Sequence, residues 1–323
     1  MTERKRLVTA VNVATVWTSP QSTRPVDEAA LGAPADTAGW TRSLTPEERL
    51  DLYASNRVQT QLLYGTPVEV CEEHGGWSKV LIADQRTSKE PLGYPGWVPS
   101  RQLAPLDGTF EPAGEDGAFA VVTAPRTILS FASTGECIEL SYLTKLPVLS
   151  IHATRVGVLT PHGPGIVLRG DVRLSNSGGG GEAAAGVGIG GRDAGLHTGE
   201  AIVREGLRFA GLPYLWGGMS SYGYDCSGFA HSMHRALDIL IPRDASDQAR
   251  EGRLVEPSEL EPGDLLFFAH DGGEGRIHHV GIYAGEGRML HSPDSASRIG
   301  LVDLASYRLA DEHCISRRYW GQL

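Results

Sequence analysis

No two cysteines in this 323-residue chain are spaced as CxxC, and the four present are Cys71, Cys137, Cys226 and Cys314. That argues against a zinc or dithiol redox centre, so no metal or cofactor is expected. No apolar run approaches the roughly 20 residues that a bilayer-crossing helix needs. The chain starts with the charged Met1-Thr2-Glu3-Arg4-Lys5-Arg6, and the segment after it is broken by Thr9, Asn12 and Thr15. It reads as a first strand rather than the unbroken apolar stretch of a signal peptide. The expectation is a cytoplasmic protein, or an exported one if a leader was removed. Positive charge is also short: 29 Lys and Arg stand against 39 Asp and Glu, a net charge of −10. That disfavours nucleic acid or an anionic membrane as the main partner.

What is present suits a soluble globular protein, with 41% hydrophobic and 21% charged residues. The length exceeds one ordinary core, so two or three domains are expected. Residues 5–105 read as β-rich. Val11 to Trp17, Val68 to Cys71, Trp77 to Val80 and Gly96 to Pro99 are strand-like, and Thr45-Pro46-Glu47-Glu48 opens a helical insertion. Residues 112–175 form a second β segment of short apolar runs. Residues 176–195 are a Gly-rich loop or linker. Residues 196–323 begin with helices and end in strands, the pattern of an α+β domain. Cys71, Cys137 and Cys314 lie in alternating apolar segments and are expected to be buried thiols.

Cys226 has other surroundings: Tyr222-Gly223-Tyr224-Asp225-Cys226-Ser227-Gly228-Phe229. A lone cysteine is more often a core thiol than a nucleophile. Here glycines and polar neighbours at an expected helix start favour chemistry, because unpaired N–H groups and the helix dipole stabilise a thiolate and lower its pKa. Downstream, Ile277-His278-His279-Val280-Gly281-Ile282-Tyr283-Ala284-Gly285 and Arg288-Met289-Leu290-His291 read as a hairpin turning at Gly285-Glu286-Gly287. Such a hairpin brings His279 and His291 near facing positions, and alternation sends His278 to the other face. A cysteine, a base and a group that orients the base form a nucleophilic triad.

These residues carry a resemblance. Asp-Cys-Ser-Gly-Phe, His-Val-Gly-Ile-Tyr and the later Leu-His-Ser are similar to the NlpC-type cell-wall cysteine peptidases. So are Pro213-Tyr214-Leu215-Trp216-Gly217-Gly218, Pro242-Arg243-Asp244 with Gln248, and Glu261-Pro262-Gly263-Asp264-Leu265. Upstream, Val11 to Trp17, Leu62-Leu63-Tyr64-Gly65 and Gly93 to Val98 resemble bacterial SH3-like modules. The resemblance implies two small β-barrel SH3-like modules followed by an α+β papain-like domain, with Cys226 as nucleophile, His279 as base and His291 as orienter.

The combination is similar to recycling enzymes that cut γ-D-glutamyl–diamino acid bonds of freed murein tripeptides or tetrapeptides. In that group the first module closes one end of the groove and leaves room for a free N-terminal L-alanine. Asp225, Ser227, Asp244, Tyr214 and Trp216 match positions lining that pocket, with Tyr94 contributed by the first module. Asp225 also suits a helix cap, and Tyr214 and Trp216 also suit a core. After Leu-Tyr-Gly, where an acidic residue is expected, stands Thr66, which puts one amine contact in question. A monomer is expected. The rivals are a wall-lytic endopeptidase acting on intact peptidoglycan, an acyltransferase or amidase on the same domain, and a non-catalytic wall-binding protein. The intact Cys, His, His set speaks against the last.

Overall fold

The computed structural model describes residues 5–106, 117–131, 133–176 and 198–321. The Gly-rich segment lies, apart from Asn176, outside the described residues. The first module has seven strands: β1 (Lys5–Thr9), β2 (Val13–Trp17), β3 (Val58–Leu63), β4 (Pro67–His74), β5 (Trp77–Ile82), β6 (Tyr94–Pro99) and β7 (Leu103–Pro105). Strand β2 is buried on both faces because each has its own cover. Ala14 and Val16 enter the module core with Val80, Ile82 and Val98. Trp17, on the other face, packs with Trp40, Leu52 and Val58, and with Leu215 from far along the chain.

Trp40 and Leu52 belong to the insertion between β2 and β3, which folds as α1 (Glu28–Leu31), α2 (Thr37–Ser43) and α3 (Pro46–Ala54). The expected capping box starts α3: Glu48 N donates to Thr45 Oγ1 and Thr45 N to the Glu48 carboxylate, at 3.2 and 2.8 Å.

The second module repeats the plan with β8 (Ala118–Val122), β9 (Arg126–Ser130), β10 (Cys137–Ser141), β11 (Lys145–Ile151), β12 (Arg155–Thr160), β13 (Gly163–Leu168) and β14 (Val172–Asn176). The sheet orders are β3-β2-β6-β5-β4-β1-β7 and β10-β9-β13-β12-β11-β8-β14, the same order once each strand is ranked within its module. Among the described residues no ladder joins the end strands of either sheet, so the expected barrels are open in their hydrogen bonding.

The third domain is α+β. Helices α4 (Gly199–Leu207), α5 (Cys226–Arg235) and the short α6 (Ala245–Gln248) accompany a ribbon of β15 (Met219–Ser220) and β16 (Gly223–Tyr224). They also accompany an antiparallel sheet ordered β17-β22-β18-β19-β20-β21. Its strands are β17 (Arg253–Leu254), β18 (Leu265–Ala269), β19 (Ile277–Gly285), β20 (Arg288–His291), β21 (Gly300–Asp303) and β22 (His313–Arg318). Phe229 and Met233 of α5 pack with Ile202 of α4 on Phe267, Val280 and Leu290 of the sheet. No helix among the described residues is long and apolar enough to cross a membrane.

One expectation is corrected. Cys71, Cys137 and Cys314 are exposed, and Cys226 is the buried cysteine. Alternation defines two faces of a strand but not which one meets the core. Cys71 also sits where the β4–β5 register shifts between Val70 and Glu72, which breaks the alternation locally.

Candidate active site

Cys226 is the first residue of α5, and Asp225 sets that start. Its backbone is extended and its carboxylate accepts from Gly228 N at 2.6 Å, as an N-cap does. A side chain at position 228 would collide with Gly218 O at 2.3 Å, so only glycine lets the first turn of α5 lie against the Gly217-Gly218 segment. Backbone hydrogen bonds from Ser227 and from Val280 on β19 reach the Cys226 sulfur. The latter places the sulfur beside the residue that follows His279.

His279 Nε2 lies 2.8 Å from His291 Nδ1, with the ring planes at 77°. A two-residue turn makes this contact: Glu286 and Gly287 both have positive φ, and Ile282 pairs with Leu290. Gly281 has to be small, because a Cβ there would meet the Met289 sulfur at 2.2 Å. This contact engages Nε2 of His279 and leaves its Nδ1 uncommitted to His291; in the tautomer that donates Nε2–H to His291, Nδ1 carries the lone pair a general base needs. His278 points to the other face, where it bonds Glu312 at 2.6 Å and stacks on His270.

The electrostatics differ from the expectation of a lowered thiol pKa. Burial and then the Asp225 charge push Cys226 up to about 12, opposed by the Val280 and Ser227 backbone bonds and by Arg243. Burial, with His291, His278 and Arg308 nearby, holds His279 well below its ordinary value. Burial and Arg308 bring His291 down to about 4. Burial thus disfavours the charged form of each partner, the thiolate and the imidazolium. This arrangement suits general-base deprotonation at the moment of attack rather than a standing thiolate.

Behind the thiol lies a buried ion pair that sequence reading did not single out. Arg243, 1% exposed, holds both Asp225 oxygens at 3.1 and 2.7 Å, bonds Ser227 Oγ at 2.9 Å and Thr60 Oγ1 at 3.0 Å. Burial pushes Arg243 down, and Asp225 more than offsets it. Gly217 N takes a further position on Asp225 Oδ2 at 2.9 Å. The carboxylate expected to line the pocket is thus enclosed by internal donors, and Asp225 and Ser227 fix the start of α5. Tyr214 is buried beside Cys226 and Asp225; its own burial above all, and then their charges, raise its phenol well above the ordinary value. Trp216 rests edge-on against Tyr53 and donates Nε1–H to Val58 O at 3.1 Å, at the seam with the first module.

Asp244 belongs to a different corner. The Tyr94 hydroxyl lies 2.8 and 3.0 Å from its two oxygens, and Lys89 Nζ is 2.9 Å from Oδ2. Lys89 also bonds the Tyr94 hydroxyl and reaches Gln59 Oε1 at 3.2 Å. The loop between β5 and β6 is pinned there. Ser88 N donates to Asp247, Arg243 N to Arg86 O, and Arg86 pairs with Glu251. Thr66 lies elsewhere. It lines a cavity of about 210 Å³ with Phe119, Lys145, His231 and Arg235, so its identity does not bear on the Tyr94–Asp244 corner.

Tyr307 is a further residue that no sequence signal announced. Its ring centre lies 5.2 Å from that of His291 and 6.4 Å from that of His279, and its hydroxyl is buried without a hydrogen-bond partner among the described residues. Also among the described residues, no three His, Cys, Asp or Glu side chains are grouped to hold a metal ion.

The NlpC/P60 family model matches residues 211–322, which span Cys226, His279 and His291. Over 318 residues, 96% of this chain and 89% of the relative, the sequence is 38% identical to the gamma-D-glutamyl-L-lysine dipeptidyl-peptidase of Bacillus cereus (strain ATCC 10987 / NRS 248). The chain belongs to the NlpC/P60 family of cysteine peptidases. A protein of the same name from Bacillus subtilis (strain 168) is also 38% identical, over 96% of this chain and 97% of its own length. The upstream modules match as well: residues 53–103 a bacterial dipeptidyl-peptidase Sh3 domain, and residues 122–174 a YKFC SH3b2 domain. The crystal structure of an NlpC/P60 family protein from Bacillus cereus ATCC 10987 superposes with a TM-score of 0.89 at 36% identity, covering 97% of this chain and 99% of that one.

Proposed function

We propose that this NlpC/P60 peptidase hydrolyses the γ-D-glutamyl–diamino acid bond of released murein tripeptides or tetrapeptides and frees L-Ala-γ-D-Glu. The observation that carries this reading is the Tyr94–Asp244 contact. It joins a carboxylate of the peptidase domain to a hydroxyl of the first module, at a corner blocked by the docked β5–β6 loop. A half-buried carboxylate with a phenol beside it suits a primary ammonium, and a blocked groove suits a peptide that ends there. The names of the two Bacillus relatives agree with this choice.

In the chemistry that follows, His279 Nδ1 takes the thiol proton as Cys226 Sγ attacks the γ-carbonyl of D-glutamate. Backbone N–H groups at the start of α5 face the developing oxyanion. The proton passes to the leaving amine as the C–N bond breaks, which leaves a thioester. His279 then deprotonates a water that attacks the thioester, and the released thiolate recovers its proton. We assign this work to a monomer in the cytoplasm, where freed wall peptides carry an unblocked alanine.

The test is to incubate the enzyme with L-Ala-γ-D-Glu-diamino acid peptide and with its N-acetyl form, and follow products by mass spectrometry. The expected kcat/KM for the acetylated form is lower on the order of a hundredfold or more, because a site built around a buried polar contact rejects an analogue that cannot make it. Equal rates would overturn the reading and point to an open groove acting on intact wall.

A further inference from the structure

We propose that Lys89 is an internal stand-in for the substrate's ammonium, holding the amine corner in the free enzyme until a peptide with a free α-amine displaces it. The inference rests on the reading of the Tyr94–Asp244 corner as the amine subsite. An ammonium has three N–H donors and no acceptor. Lys89 Nζ finds three acceptor groups there: Asp244 at 2.9 Å, Gln59 Oε1 at 3.2 Å and the Tyr94 hydroxyl. It also lies 4.3 Å from the centre of the Tyr94 ring. The corner is thus already satisfied by a cation of the same chemical class as the one proposed for the substrate.

Two features make this cation displaceable. Its backbone belongs to a loop anchored through Thr87 and Ser88 on Asp247 and through Arg86 on Glu251, so the chain need not move when the side chain leaves. The Lys89 side chain is 44% exposed, against 25% for Asp244, so its flexible stem has water to swing into while the acceptors stay fixed.

The exchange is cation for cation, and Asp244 is not left as a partly buried, unpaired carboxylate at any stage of binding. The consequence is selectivity at a cost in affinity. A peptide with a free amine replaces every contact that Lys89 gives up. An acylated peptide replaces none, and meets a filled corner. The apparent affinity for the correct peptide is lowered by the fraction of enzyme in which Lys89 occupies the corner.

Lys89→Met keeps the stem and removes the charge. The measurements are kcat and KM for the free and N-acetyl peptides, and the Kd of the product L-Ala-γ-D-Glu by titration calorimetry. In Lys89→Met the KM of the free peptide and the Kd of the product are expected to fall about fivefold or more, with kcat within about twofold of the parent, which also reports an intact fold. The preference for the free over the acetylated peptide is expected to narrow, because the acetylated peptide no longer meets a filled corner. Lys89→Arg retains a cation and is expected to stay near the parent values. If the parent enzyme prefers the free amine but Lys89→Met leaves KM and Kd unchanged or higher, the stand-in role is overturned while the amine subsite survives. If the parent treats both peptides alike, the subsite reading fails and this inference fails with it.

Discussion

Both β modules reach the peptidase domain through a tyrosine hydroxyl on a carboxylate. In the first module Tyr94 meets Asp244, and in the second Tyr142 meets Glu205 at 2.8 Å. The two modules share a sheet order, although Tyr94 opens β6 and Tyr142 lies between β10 and β11. What differs is the length of the connections. Between β2 and β3 the first module inserts three helices, and its β5–β6 loop is long enough to carry Arg86, Thr87, Ser88 and Lys89 onto the peptidase domain. The second module joins the corresponding strands with short turns. It docks through Ser141 on Ser221 and Tyr222 on Glu139. One fold used twice thus gives a brace in one case and, under the proposed function, a wall of the groove in the other, and the difference lies in loops grafted on a shared scaffold.

If chemistry resides in the third domain alone, the largest losses must come from it. Cys226→Ala is expected to reduce turnover on the order of 10⁴-fold or more with the fold intact, checked by product formation against a blank. His279→Ala is expected to approach the same loss, His291→Ala to cost less because it orients rather than carries the proton, and His278→Ala to retain most activity. A sensitive His278 would mean that the wrong face of β19 has been placed toward Cys226.

The next effect sharpens the contrast between the modules. Tyr94→Phe removes a hydroxyl from the amine corner and leaves the ring. The expected result is a rise in KM for the free peptide of roughly ten- to a hundredfold, the range for a hydrogen bond to a charged group. Steady-state kinetics on Tyr94→Phe that matched the parent would remove the first module from substrate binding.

Acid separates the domains by another route. Burial above all holds His231, His234, His279 and His291 below their ordinary 6.5, with His234 and His291 near 4. Each favours the proton in the unfolded chain. Their contribution to stability is complete above pH 6.5 and is lost as pH falls toward 4. In the first module Asp51, held down to about 2 chiefly by Arg57, acts in a lower window, between 3.8 and 2. Thermal melts followed by hydrogen exchange should show the peptidase domain loosening first on acidification. A Tm that stays flat from pH 6.5 to 4 would contradict this assignment.

How much of this was legible in the sequence follows from the range of each signal. Asp225-Cys226-Ser227-Gly228 and the two histidine strands are local patterns, and in the structure His279 meets His291 while Cys226 lies against Val280, the next residue of the same strand. The same alternation misplaced Cys71, Cys137 and Cys314, because a period of two does not say which face is covered. The Arg243–Asp225 pair and the place of Lys89 at the Tyr94–Asp244 corner were not legible, although the resemblance puts Tyr94 and Asp244 in one pocket. Their partners are 18 and about 150 residues apart, and charged or phenolic side chains at such positions look like ordinary surface until the fold joins them. Thr66, in the turn between β3 and β4, drew attention as a departure, yet it lines a separate cavity, and Gln59 on β3 faces the amine corner instead.

The smallest expected effect is also the sharpest check on the comparison. Tyr142 and Glu205 are buried, at 2% and 8% exposure, and Tyr142 packs on Phe209 in the core beneath α4. Burial, reinforced by the Glu205 charge, keeps its phenol protonated and raised well above the ordinary value, so it remains a hydrogen-bond donor at every working pH. Tyr142→Phe removes that one donor and preserves the ring. Glu205 keeps Arg208 as a partner, so its carboxylate is not left bare. The loss is expected to be about 1 to 2 kcal/mol of stability, read as a lower midpoint in chemical denaturation. KM and kcat are expected to stay within about twofold of the parent, because the hydroxyl removed bonds Glu205 rather than a residue of the triad or of the amine corner. The contrast with Tyr94→Phe is the point of the pair: the same atom removed from the same kind of contact changes substrate affinity in one module and only stability in the other. A large rise in KM for Tyr142→Phe would show that the brace also shapes the groove, and the division of labour between the modules would have to be abandoned.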